Sequence, residues 1–161
     1  MATQLQLPSS IQIDGQASRR GLIPRMPAGD RLLAGVATWL QADYADYLRH
    51  VRHDTTGEGE ARLTASLHPT APAVVITATD IGRVTVSAET AAAGAGYHRF
   101  LGQVLGRMAE DAGIEWSSVE ADQFAFAERP VVERAYLGWL GPALGQARDA
   151  LRLGARSQLG L

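Results

Sequence analysis

Two histidine-containing runs hold the residue types that could do chemistry. In the first, Gly94-Ala-Gly96-Tyr-His98-Arg99 opens an amphipathic stretch. Glycines there let the backbone approach a ligand and leave amide groups at a helix start, where the dipole favours an anion. His98 could carry a proton and Arg99 a fixed charge, so Gly94, Gly96, His98 and Arg99 together would suit a phosphate, a carboxylate or an acid–base substrate. The spacing is not the dinucleotide fingerprint, which needs a third glycine and a parallel βαβ unit. A plainer alternative, and the favoured one, is a tight strand-to-helix turn with His98 and Arg99 in solvent.

The second run is Asp43, Asp46, His50 and His53, which share one face if they lie on a helix. Imidazole and carboxylate are sound ligands for zinc and related metals, and Asp46, His50 and His53 form the candidate set. One helix face cannot close a tetrahedral site, so Asp54 or Glu58 would have to fold back. The competing explanation, again favoured, is a solvated face with His50, Arg52 and His53 near the helix C-terminus, where positive charge is favourable.

Elsewhere the chemistry thins out. His68 precedes Pro69 and suits a turn, and no Gly-x-Ser-x-Gly elbow is present. Glu110, Asp111, Glu115, Glu120 and Asp122 offer carboxylates without a fixed separation, and solvated helix ends explain most of them. The chain has no cysteine, which removes thiol nucleophiles, thiolate metal sites and disulfides. It also has no lysine, all fifteen basic residues being arginine, which removes Schiff-base and P-loop chemistry. With a net charge of -2 and dispersed arginines, nucleic acid is not an expected partner. No apolar run approaches a membrane span and no signal segment opens the chain, so a cytoplasmic protein without a membrane partner is expected. The Arg, Ala and Gly usage suggests a GC-rich bacterial source.

The elements that must position these residues follow from periodicity. Residues 3–14 alternate around Leu5, Leu7, Ile11 and Ile13 as a strand that Pro8 confines to an edge or splits, and 16–29 reads as an ordered loop. A helix is expected over 30–53, because Leu33, Val36, Leu40, Tyr44, Tyr47 and Val51 recur at helical spacing, with a loop over 54–59. Three short antiparallel strands follow near 60–67, 73–79 and 83–88, burying Ala61, Leu63, Ala65, Val74, Ile76 and Ala78 and leaving Thr77, Thr79, Arg83, Thr85 and Ser87 on an outer face. A second helix over 97–112 ends at Gly113, with Ile114 as its hydrophobic cap. Ser117 to Glu120 has capping-box spacing, and Gln123-Phe-Ala-Phe126 suits an edge strand or an aromatic-packed turn. The last helix opens at Pro130, is bent or broken at Gly141-Pro142, and frays from Gly154.

The expected fold is one α+β domain spanning the chain, a two-layer sandwich with an antiparallel sheet of four to five strands and three main helices on one face. Gly102 and Gly106 fall one turn apart inside the second helix, where each costs about 1 kcal/mol relative to alanine. Tight packing against Gly138, Gly141 and Gly145, or against a second copy, would offset that cost.

Two functions remain. The favoured one is a non-enzymatic bacterial protein-interaction module of the immunity, adaptor or chaperone kind, needing no cofactor. It would bind another protein through Tyr136, Trp139 and Leu140 or through the outer sheet face. The other is a small-molecule or anion binder, or an acid–base enzyme, using His98 and Arg99.

Overall fold

The computed structural model describes residues 10–17, 29–56, 59–117 and 129–158. Leu5, Leu7 and Pro8 of the first expected strand, the loop over 18–28, Glu58, and the aromatic run 123–126 lie outside the described residues. The chain divides into two compact units, one (Pro8–Ala127) holding the sheet and two helices, the other holding the last helix.

Among the described residues six strands form one antiparallel sheet: β1 (Ser10–Ala17), β2 (His50–Thr56), β3 (Glu60–Ser66), β4 (Val74–Thr79), β5 (Arg83–Glu89) and β6 (Ile114–Trp116). Their order is β2-β3-β4-β5-β1-β6. The meander β2 to β5 is the arrangement that short connections permit, and the fold is α+β as expected, with more strands than four to five. Three strands differ from expectation, β1, β2 and β6. β1 is not an edge, because β5 pairs along one side of it and β6 along the other. It also continues through Asp14-Gly15, a pair that reads as a turn. A Cβ at Gly15 would lie 2.5 Å from Trp116 Cε3, so glycine makes room there for the indole of β6. Trp116 Nε1 donates to the Leu105 carbonyl at 3.1 Å, tying this short edge strand to the helix before it.

Two helices accompany the sheet, α1 (Gly29–Asp43) and α2 (Ala95–Ala112). Leu33, Val36 and Leu40 of α1 and Tyr97, Leu101, Val104, Leu105 and Met108 of α2 join Ile11, Ile13, Leu63, Ile76, Val84 and Val86 of the sheet in one core. Helix α1 ends ten residues before the expected 53. Tyr44 stays buried at the start of a turn, and 50–56 becomes β2, with Val51, His53 and Thr55 opposite Ala65, Leu63 and Ala61. Helix α2 ends as its sequence dictates, on Gly113 in the left-handed region (φ 66°), with Ile114 buried beyond it.

On the outer face Asp14, Thr85, Thr77, Arg62 and Asp54 stand in one cross-strand row. The Asp14 carboxyl is held below the usual carboxylate range, chiefly by the Thr85 hydroxyl donating to Oδ1 at 2.8 Å. Burial opposes this shift, and the Arg83 guanidinium, 3.3 Å from Oδ2, lowers the pKa further.

The second unit contains α3 (Arg129–Gln158), a single 30-residue helix with Pro142 inside it. A break at Gly141-Pro142 is therefore absent, and helix continues past Gly154. Proline removes the donor to the Gly138 carbonyl, but Gly138 is exposed, so water can satisfy that group.

Candidate functional site

The corner at Gly94 is built by the end of β5, a short 3-10 turn (Ala91–Ala93) and the start of α2. Gly94 has φ 89°, a conformation that L side chains rarely adopt, and this reverses the chain into the helix. His98 and Thr90 are both buried, 4% and 2% exposed, and Thr90 Oγ1 and His98 Nδ1 share a 2.8 Å hydrogen bond. That bond satisfies two polar groups the turn carries into the core, as burial requires. Arg99, one residue on, is exposed. The structure thus separates the pair: His98 faces inward and Arg99 faces solvent, while Gly96 is exposed with open space around it.

Tyr97 is also buried and packs against the His68 ring at 5.0 Å. Its hydroxyl has no hydrogen-bond partner among the described residues, and burial pushes the phenol above its usual range. His68 itself closes the expected turn, its Nδ1 accepting from the Thr70 amide at 3.3 Å.

The metal candidates do not share a face. Asp46 lies in the turn after α1, and His50 and His53 lie on β2, three residues apart and so on opposite sides of the sheet. His53 instead turns towards α1, with Nε2 3.2 Å from Asp30 Oδ1 but off the line of a hydrogen bond. Thr55 donates to the same Asp30 oxygen at 2.6 Å. Among the described residues no three His, Asp or Glu side chains come together as a metal-binding group.

A half-open cleft of about 330 Å³ lies between α1 and α2, floored by Leu32, Val36, Trp39, Met108 and Ala112 and flanked by Arg31 and Asp111. Neither His98 nor Arg99 lines it. Among the described residues its lining holds one carboxylate, Asp111, and no histidine or hydroxyl group.

The surface candidates lie on α3. Tyr136 and Leu140 are partly buried, and the Trp139 side chain lies outside the described residues. Among the described side chains of α3, the large apolar ones presented to solvent are Leu137, Leu144 and Leu151, 66%, 60% and 75% exposed. They are seven residues apart, so they form one line along an unbroken helix. Sequence reasoning missed them because a break at Gly141-Pro142 would have reset the helical phase between Leu137 and Leu144. By helical geometry Gly138 and Gly145 lie well round the helix from the leucine line, while Gly141, four residues after Leu137 and three before Leu144, lies beside it. A Cβ on any of them, or on Gly106, would meet nothing within 4 Å. Gly102 is buried. Among the described residues, then, no close neighbour requires glycine at 106, 138, 141 or 145.

No helix among the described residues is long and apolar enough to cross a membrane. The chain matches no family model, no curated protein and no solved structure.

Proposed function

We propose that this protein is a non-enzymatic interaction module that binds another protein through α3. The observation that carries the reading is the line Leu137, Leu144 and Leu151, each more than half exposed on one 30-residue helix. Three leucines in register expose apolar surface that a partner helix would remove from water, at about 25 cal/mol per Å² buried. Acid–base chemistry has weaker support, because His98 is enclosed and bonded to Thr90 while Arg99 points elsewhere.

The test is photo-crosslinking in the native cell, with benzoylphenylalanine replacing Leu144 in one strain and Gln146, on another side of α3, in a second. A covalent adduct with another polypeptide from position 144 and none from 146 is expected. No adduct from 144, or equal adducts from both, would overturn the reading.

A further inference from the structure

We infer that the partner surface received by α3 is an acidic amphipathic helix, an inference that rests on the interaction reading above. Residues 129–158 carry Arg129, Arg134, Arg148, Arg152 and Arg156 against Glu133 and Asp149, a net of +3, whereas residues 1–128 hold ten arginines against fifteen acids, a net of -5. The positive charge of the chain is therefore concentrated on the helix that carries the exposed leucines. Arg134, Arg148 and Arg152 are all exposed, and at 3.6 residues per turn they fall along one flank of the leucine line.

That combination selects among occupants. Seven-residue leucine spacing fits the seam of a helix pair, and charges flanking such a seam set which partner is accepted. A second copy of α3 would bring a second net positive helix against the first, with a seam only about 21 Å long to offset the repulsion. An anionic lipid surface takes up a broad apolar helix face, whereas the exposed large apolar side chains described on α3 form one narrow line. A helix with leucines at matching spacing and flanking Glu or Asp meets both the apolar and the charged requirements.

Two synthetic peptides test this, both carrying three leucine heptads, one with Glu and the other with Lys at the flanking positions. Fluorescence anisotropy with the full chain at low salt should give binding of the Glu peptide at least about tenfold tighter than the Lys peptide. Raising salt from 50 to 500 mM should erase most of that preference in the unaltered chain, a measurement that needs no variant. The triple variant Arg134→Glu, Arg148→Glu, Arg152→Glu should invert the order, and Leu144→Asp should abolish both interactions.

Equal affinity for the two peptides, or no binding of the Glu peptide, overturns the inference. So does a dimer in sedimentation that Leu144→Asp dissociates, or binding to phosphatidylserine vesicles that the same variant removes. Should crosslinking from position 144 succeed while the peptides bind equally, the interaction reading stands and the acidic helix is wrong. Failure of the crosslink removes both.

Discussion

Replacing Gly29 by alanine should destabilise the protein, whereas the same replacement at Gly106 should stabilise it. Gly29 opens α1 directly over β4: an added Cβ would collide with the Ala78 carbonyl oxygen and lie 2.7 Å from its carbon. Ordinary contact begins near 3.4 Å, and both obstacles are backbone in the middle of a sheet, so α1 must lift by at least about 0.7 Å to clear the carbon and by more to clear the oxygen. Lifting it also stretches the bond from the Gly29 amide to Asp80 Oδ1, now 3.1 Å. Overpacking of this kind costs about 1–3 kcal/mol, and the weakened charge-assisted bond adds to it. Against this, alanine restricts the unfolded chain and is worth up to about 1 kcal/mol. A net loss of about 2 kcal/mol should lower the melting temperature by about 4–8 °C in a chain of this size. At Gly106, inside α2 with open space at its Cβ, only the favourable effect remains, and the melting temperature should rise by about 2–4 °C. Calorimetry or circular dichroism reads both. A Gly29→Ala protein that melts at or above the unaltered one would refute the packing argument, as would a Gly106→Ala protein that melts lower.

Other expectations follow from the buried polar groups and the outer face. Thr90→Val should cost about 1–3 kcal/mol in urea unfolding, since it strips a partner from His98 inside the core, while Arg99→Ala should stay within about 0.5 kcal/mol. Tyr97→Phe removes a buried hydroxyl that has no partner among the described residues and should be neutral or stabilising; a loss above about 1 kcal/mol would mean the hydroxyl has a partner. The raised Tyr97 pKa keeps its stabilising contribution whole below the unfolded value near 10 and loses it as pH rises through the folded value. Alkaline unfolding should therefore steepen above about pH 10 and flatten in Tyr97→Phe. Asp14 has the opposite sign: its contribution is present above the ordinary carboxylate pKa and is lost as pH falls through the lowered one. Thr85→Val should move the NMR-titrated pKa of Asp14 upward, and an unchanged titration would contradict the assigned cause.

What sequence could reveal divides along the range of the forces involved. Strands β3 to β5 were legible because alternation is local, and the end of α2 because Gly113 and Ile114 carry a local stop. The end of α1 was not. Tyr44 and Val51 happen to fall at helical spacing after Leu40, and no glycine or proline marks the turn between them. The Val51-Arg-His-Asp-Thr-Thr56 alternation beneath that coincidence is short. The run of β1 past Asp14-Gly15 depends on Trp116, a hundred residues away, and β6 is too brief to show a period. At the candidate corner, the turn and its glycine were legible, but His98 was placed in solvent on its chemical type. Its position with Leu101, Leu105 and Met108 at i+3, i+7 and i+10 already put it on the buried stripe. The leucine line required knowing that α3 survives Pro142, which local propensity argues against.

The central claim is that α3 holds another protein by its exposed leucines, and the apparent mass of the chain in native extract tests it most directly. Sedimentation of the tagged protein should give a species heavier than one chain. A variant carrying Asp at 137, 144 and 151 should run as a single chain with an unchanged melting temperature. An unaltered protein that sediments as a single chain, or a folded triple variant that keeps the heavier species, would contradict the claim.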